Sequence, residues 1–309
     1  MKFIACADLH FTDKIPRNRK DDYFAAQLMK FGQILEKAEK EEADLLIAGD
    51  VFDSVKTPYK ITKAIMELIS NYEVNIYTTF GQHDLVYHSK GLNNTPLGIL
   101  STMDQITILD NKTKISITDG IGKSTLIGAG WNQVPKEEAD ILVTHQMVVH
   151  KNPLWPGQEE YSTATQIMKK YPWANFIISG DNHLPFIVEK KGYGRFLINC
   201  GSIMRKGKDQ INHEPVIWLI NTQTKEVEDI KLKVQPYKKV FDLNKIKREE
   251  IQEEIKNQAK EDIDKFVKSL EMSGNKKPNF KNVLKKVIQE MNPDNEVKEI
   301  INNLMEEIA

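Results

Sequence analysis

Cysteine is nearly absent from the chain. Cys6 and Cys200 stand alone among 309 residues, so a disulfide framework is excluded and a reducing, cytoplasmic setting is expected. Long apolar runs are missing too. None approaches the ~20 residues that a membrane helix needs, so no membrane partner is expected. The chain opens directly into MKFIACA, without a basic region or cleavage site, and no secretory signal is expected. Nor is there an excess of one charge. Lys and Arg number 43 against 44 Asp and Glu, for a formal net charge of −1. That balance excludes a globally basic nucleic-acid binder but leaves room for a local basic patch beside an acidic site. Internal repeats and low-complexity tracts are absent. The 40% hydrophobic content is that of an ordinary globular chain, and the length allows one large domain plus an appendage.

What the chain does have is a series of five short ligand-rich motifs, each following an apolar run of strand length. MKFIACA leads into Asp8-Leu9-His10, DLLIA into Gly49-Asp50-Val51-Phe52-Asp53, and VNIYTTF into Gly81-Gln82-His83-Asp84. DILVT then leads into His145, and NFIIS into Gly180-Asp181-Asn182-His183. Open sheets place ligand sites just outside the carboxyl ends of their strands, so carboxylates and imidazoles delivered from five strand tips would converge. Four of the seven histidines fall in these motifs. An unpaired buried carboxylate is costly, so a purely structural role for this constellation is disfavoured.

The near-continuous apolar runs at 2–7, 44–48, 74–80, 141–145 and 175–179 predict strands covered on both faces. Phe24, Leu28, Phe31 and Leu35 mark an amphipathic helix between the first two, and Ile61, Ile65 and Leu68 a second helix. This βαβαβ opening predicts an α/β sheet. Short strands follow at 106–110, 114–118 and 125–131. After His183, PFIVEK, GRFLINC, PVIWLI and EVEDIKL read as strands with hairpin connections at 191–194 and 221–224. A mixed sandwich with helices outside fits better than a doubly wound sheet. Residues 1–238 form the expected catalytic domain. Residues 239–309, rich in Lys, Glu and Ile, form a helical appendage with stripes along 246–270, 280–291 and 297–308. Ser273-Gly274-Asn275 breaks the first stripe, and Asn292-Pro293 starts the last helix.

Asp8 and His10, two apart at a strand end, can reach one ion, and Asp50 is the natural bridge between two. Gln82, His145, Asp181 and His183 complete the shells. This mixed O/N set suits Mn²⁺ best, with Mg²⁺, Fe or Zn²⁺ as alternatives. Two such ions generate hydroxide and stabilise both oxygens of an in-line displacement at phosphorus, which implies phosphoester hydrolysis.

These motifs resemble those of the calcineurin-like metallophosphoesterases, whose pattern runs Asp-x-His, Gly-Asp-x-x-Asp, Gly-Asn-His-Asp/Glu, a lone His, and Gly-His-x-His. Within that superfamily the chain looks like the SbcD-type DNA repair nuclease subunit, on the motif spacings and on Gly201-Ser202-Ile203-Met204-Arg205. The resemblance covers roughly residues 1–235. It implies a four-layer α/β/β/α sandwich, with Asp8, His10, Asp50 and His183 on a first metal and Asp50, Gln82, His145 and Asp181 on a second. His83 would assist the leaving group and Asp53 would orient His83, while Asp84 is expected to bond local backbone. Gln82 replaces the family's Asn and Asp181 its His. Both changes touch the second ion, which is therefore expected to bind more weakly.

The resemblance further implies a DNA substrate and an SbcC-like coiled-coil ATPase partner held by the C-terminal helices, and allows a homodimer; the alternative is that these helices complete the core. Arg205 is a candidate phosphate contact, against an internal salt bridge. Lys190, Lys191, Arg195, Lys206 and Lys208 are candidates to track a nucleic-acid backbone, against a solvated face. Trp155 and Trp173 are candidates for base stacking, against ordinary packing. His88, His150 and His213 read as ordinary surface or loop histidines. The function expected is that of a two-metal DNA nuclease subunit. A phosphatase or small phosphodiesterase acting on nucleotides or phosphoproteins is the runner-up, and a catalytically weak scaffold comes third.

Overall fold

The computed structural model describes residues 1–86, 91–120, 122–272 and 298. The chain divides into two compact units, residues 1–243 and 244–309. In the first, β1 (Lys2–Cys6), α1 (Tyr23–Lys40), β2 (Asp44–Ala48), α2 (Tyr59–Ile69) and β3 (Ile76–Thr79) follow in order. Next come the short α3 (Pro96–Leu100), then β4 (Ile106–Ile108), β5 (Ile115–Thr118), β6 (Lys123–Ala129) and β7 (Ile141–His145). The two-residue strands β8 (Val148–Val149) and β9 (Ser162–Thr163) lead to α4 (Ala164–Lys170) and β10 (Phe176–Gly180). Four strands close the unit: β11 (Phe186–Lys190), β12 (Arg195–Asn199), β13 (Val216–Asn221) and β14 (Glu226–Lys231), followed by the single-turn α5 (Tyr237–Val240).

Two six-stranded sheets result, in the orders β14-β13-β1-β2-β3-β4 and β11-β12-β10-β7-β6-β5. Strands β1 to β4 are mutually parallel, as are β6, β7, β10 and β12; antiparallel strands extend both sheets. The period of two along each strand explains the layering. Phe3, Ala5, Leu46, Ala48, Ile141, Val143 and Ile178 point between the sheets. Ile4, Cys6, Leu45 and Ile47 turn the other way, onto Phe31, Ile34 and Leu35 of α1 and Ile61 and Ile65 of α2. Leu142, Ile177 and Leu197 face Ile167 and Met168 of α4. Strands buried on both faces have no polar alternation, which is why the central ones read as continuous apolar runs. The architecture is the expected α/β/β/α sandwich.

The α1 face departs from its sequence reading. The buried side chains are Tyr23, Gln27, Lys30, Phe31, Ile34, Leu35 and Ala38, while Phe24 and Leu28 are only half-buried. Gln27 and Lys30 point inward because backbone groups receive them. Gln27 Nε2 donates to the Leu9 and His10 carbonyls at 3.0 and 2.7 Å, its Oε1 accepts from Thr12 N at 3.2 Å, and Lys30 Nζ donates to the Ile203 carbonyl at 2.6 Å. The short α3, α4, β8 and β9 were not anticipated, although Thr95 before Pro96 and the Thr163–Gln166 capping box are start signals.

In the second unit, α6 (Leu243–Met272) continues the first predicted stripe as a 30-residue helix on which Ile251, Ile255 and Ile263 are exposed. The stripes at 280–291 and 297–308, apart from Lys298, lie outside the described residues, as does His88. Among the described residues no helix is long and apolar enough to cross a membrane.

Burial, then the Arg205 and Arg19 guanidinium charges, push the Lys30 ammonium down to about 7. Below that value folded and unfolded chains both carry the charge, and the fold bears its full burial cost. As pH rises from about 7 toward the ordinary lysine range the folded state sheds the proton first, so stability increases. Thermal midpoints should therefore rise for the wild type relative to Lys30→Met between neutral and mildly alkaline pH, by up to about 1.4 kcal/mol per pH unit in stability. A flat difference would show that Lys30 stays charged in the fold.

Candidate metal centre

The ends of β1, β2 and β3 in one sheet and of β7 and β10 in the other deliver all five motifs to one place. Asp8, His10, Asp50 and His145 are buried and His183 is half-buried. Asp8, His10 and His183 each offer a ligand atom within 4.8 Å of the others; so do Asp8, Asp50 and His145, and so do His10, Asp50 and His83. His10 Nε2 lies 3.3 Å from His183 Nε2, 4.0 Å from Asp8 Oδ1 and 3.7 Å from Asp50 Oδ2. On the far side His145 Nε2 lies 3.4 Å from Asp50 Oδ2 and 3.9 Å from Asp181 Oδ1. Asp50 thus stands between the two groups of ligands, as its proposed bridging role requires.

The backbone is bent to achieve this. Asp8, His10, Asp50 and Asp181 all occupy positive φ, at 53°, 47°, 49° and 82°. Such conformations cost about 1 kcal/mol or more each in a non-glycine residue, and they cluster at sites where the surroundings enforce them. Three glycines make room. A Cβ on Gly81 would overlap the Asp50 carboxylate and lie 2.7 Å from His145 Nε2. On Gly49 (φ +82°) it would lie 2.7 Å from His145 Cγ, and on Gly180 it would lie 3.0 Å from His145 Nδ1.

Hydrogen bonds fix each donor. Nδ1–H of His145 donates to the Ala48 carbonyl at 2.7 Å, which turns Nε2 into the site. Asp181 N donates to both Asp8 oxygens at 3.2 Å. Asp84 accepts from Val51 N, Phe52 N and Gly81 N at 3.0 to 3.3 Å, the backbone role expected of it. Gln82 Nε2 donates to Asp181 Oδ1 at 3.0 Å. The two residues that depart from the family pattern are therefore bonded to each other. One Gln82 nitrogen steadies the carboxylate while its oxygen stays available.

The electrostatics suit a site that receives positive charge. Burial drives the Asp8 carboxyl up to about 7, opposed by the His145 charge and reinforced by Asp50. Burial pulls His145 down, but the Asp50, Asp8 and Asp181 carboxylates together outweigh it and the imidazole rises to about 10. Burial and then the Lys206 charge lower both His10 and His183, the latter to about 4. His145 Nε2 and Gln82 Oε1 are buried without a hydrogen-bond partner, and both are ligand atoms proposed for the second ion. Orphaned lone pairs beside clustered carboxylates fit hard or borderline divalent cations.

Some assigned roles change. Asp53 does not orient His83 with its carboxylate. Its backbone carbonyl accepts from His83 Nδ1 at 3.0 Å, while its carboxylate lies 3.2 Å from Lys206 Nζ and 3.5 Å from His10 Nδ1. Lys206 and His10 have claimed the anionic group. Arg205 is not a phosphate contact but a buried brace. Its guanidinium donates to the Ile211 and Gln235 carbonyls, and neither competing reading, phosphate contact or salt bridge, describes it. Arg195 is likewise buried, donating to the carbonyls of Met168, Ala174 and Tyr171 at the end of α4, and Lys190 lies over the Tyr193 ring. Trp173 packs beside Tyr171, and Trp155 is exposed. His150 is exposed against Phe186, and His213 Nε2 bonds the Ser202 carbonyl at 2.7 Å. Gln27 was missed as part of the site, while Lys206, expected as a candidate to track a nucleic-acid backbone, reaches into it through Asp53 Oδ1. A polar residue on the inward stripe of α1 was the available signal for Gln27.

The sequence profile of the calcineurin-like phosphoesterases matches residues 1–185, which include every proposed metal ligand. The chain belongs to this family of metal-dependent phosphoester hydrolases. A search of curated proteins returns no significant match. Among solved structures, similarity extends to TT1561 of Thermus thermophilus, at 12% identity over 75% of this chain and 99% of that one, with a TM-score of 0.48. A metallophosphoesterase from Sphaerobacter thermophilus matches at 13% identity over 76% and 90%, with a TM-score of 0.36. A 5'-nucleotidase precursor from Thermus thermophilus matches at 10% identity over 80% and 57%, with a TM-score of 0.46.

Gly81→Ala tests the tight fit of the centre. The added methyl must displace Asp50 or His145, so Mn²⁺ affinity measured by titration calorimetry should fall at least about tenfold with circular dichroism unchanged. Unaltered affinity would mean that neither group holds the ion.

Proposed function

We propose that this chain is a two-metal phosphodiesterase acting on DNA, the nuclease subunit of an SbcCD-like assembly. The observation that carries the reading is the cluster of Asp8, His10, Asp50, His145 and His183 with Asp50 between two ligand groups and His83 at its edge. Its extension to DNA rests on the resemblance of the motif spacings and of Gly201–Arg205. When bound, paired divalent cations, Mn²⁺ foremost, polarise the phosphoryl group and make water nucleophilic at neutral pH. Asp8, His10 and His183 would hold one ion, Gln82, His145 and Asp181 the other, with Asp50 shared.

The protein's own contribution beyond ligation lies in His83. Its Nδ1–H is committed to the Asp53 carbonyl, so Nε2 is the nitrogen left to gain or lose a proton. Nε2 lies 3.9 Å from Asp50 Oδ2, and the side chain is 44% exposed. A protonated Nε2 there can donate to the departing oxygen of a substrate arriving from solvent. The Asp50 carboxylate, which also accepts from His83 N at 3.1 Å, fixes the approach of that ring.

The test is Mn²⁺-dependent cleavage of end-labelled duplex and single-stranded DNA beside a small bis-aryl phosphodiester. Wild-type protein should degrade DNA. His83→Ala should lose roughly 100-fold or more in turnover while retaining Mn²⁺, the scale of a general acid. Hydrolysis confined to the small diester would favour the small-phosphodiesterase reading, and absence of any turnover the scaffold.

For the second unit we propose helix-on-helix docking to a coiled-coil ATPase, supported by the exposed Ile251, Ile255 and Ile263 on α6. A chain ending at residue 243 should then keep diester turnover and lose partner binding. Loss of its cooperative thermal transition would instead assign this segment to the core.

A further inference from the structure

The loop that follows β12 is held from behind by buried cations. Lys30 Nζ takes the Ile203 carbonyl, Arg19 takes the Arg205 carbonyl, and Arg205 reaches across to Ile211 and Gln235. Ser202 N donates to the His183 carbonyl, and Ser202 Oγ lies 3.5 Å from the Asp8 carbonyl, so the loop is also tied to two metal-binding segments. Arg19 is paired with Asp21 at 2.8 and 2.6 Å, while Lys30 and Arg205 donate to backbone carbonyls, so together these side chains hold the loop in one conformation. What the brace presents is the next residue. Lys206 N is pinned by Gln210 Oε1 at 2.7 Å, and its side chain, 26% exposed, carries the ammonium to Asp53 Oδ1 at 3.2 Å. That oxygen is itself 3.5 Å from His10 Nδ1. The ammonium is also the strongest charge influence on both His10 and His183.

We infer that Lys206 binds substrate, its ammonium donating to a non-bridging oxygen of the phosphoryl group beside the metal centre. This inference rests on the phosphoester reading above. In the free chain the Asp53 carboxylate stands where an anionic oxygen of the substrate would be received, and it keeps the ammonium aimed at the site. Residue 53 then positions both groups that meet the phosphate: His83 through its carbonyl and Lys206 through its carboxylate. A lysine suits the task, because a compact charge on a flexible stem can follow the phosphoryl oxygen as negative charge grows on it toward the transition state. Of the basic residues singled out in the sequence, Arg195 and Arg205 spend their guanidinium groups on buried carbonyls, and Lys190 lies over a tyrosine ring.

The experiment is calorimetric titration of inorganic phosphate into the Mn²⁺-loaded full chain, with Mn²⁺ affinity measured separately for each protein. Lys206→Gln should bind phosphate roughly 10- to 100-fold more weakly, the worth of one charge-assisted hydrogen bond, and Lys206→Arg should retain most of the affinity. Mn²⁺ affinity should not fall in either variant, because removing or retaining a nearby positive charge gives no reason for cation binding to weaken. Unchanged phosphate affinity in Lys206→Gln overturns the proposal. So does a loss that occurs only together with Mn²⁺, since Lys206 would then merely support the ligand loop. A wild-type chain that holds Mn²⁺ but no phosphate would instead sink the phosphoester reading itself.

Discussion

The structure depends on gathering carboxylates where water is scarce. Asp8, Asp50 and Asp84 are all buried at the ends of parallel strands, with Asp181 close by. Each has its own compensation. Asp84 is satisfied by three backbone N–H groups, Asp8 by the Asp181 N–H, and Asp50 by the His83 N–H and two imidazoles. These bonds quench part of the charge, and the remainder calls for cations. The demand accounts for much else: glycines at 49, 81 and 180 that let backbone approach the His145 ring, and a His145 imidazole whose far nitrogen is tied to the Ala48 carbonyl.

A second layer of charge lies behind the first. Lys30 and Arg19 are buried behind the loop that follows β12, and Arg205 is buried within it; Lys30 and Arg205 donate to backbone carbonyls, and Arg19 donates to the Arg205 carbonyl and the Asp21 carboxylate. Anions toward the reacting group and cations at the rear give the centre a polarised surround. The helix α1 serves both layers, through Gln27 to the Asp8–Thr12 turn and through Lys30 to the Ile203 carbonyl. Helix packing and metal-site geometry are in this way coupled by two side chains one turn apart.

Most strands, and the motifs that converge at their ends, could be read from the sequence, because both leave strong local signals. Continuous apolar runs mark strands covered on two faces, and the ligands follow those runs at once. What escaped depended on which atom of a residue is used, or on long-range partners. Asp53 acts on His83 through its main chain, a use that residue identity does not encode. Arg205 stands in a motif that invites a phosphate role, yet the Ile211 and Gln235 carbonyls take two of its nitrogens. Gln27 and Lys30 interrupt an apolar stripe, and the receiving carbonyls lie on loops that only the tertiary fold brings near. Short elements such as β8, β9 and α4 have too few residues to establish a period.

The left-handed backbone at Asp8, His10, Asp50 and Asp181 has a consequence for how such a centre evolves. Residues that tolerate that region are glycine and, among side chains with donor atoms, chiefly asparagine, aspartate and histidine. Conformation thus narrows the alphabet available at four ligand positions before any metal preference acts on it. A drift from imidazole to carboxylate at position 181, with φ of 82°, stays inside that alphabet, whereas glutamate or cysteine would meet a backbone barrier first. The metal selectivity open to descendants of this chain is limited by torsion angles as well as by coordination chemistry.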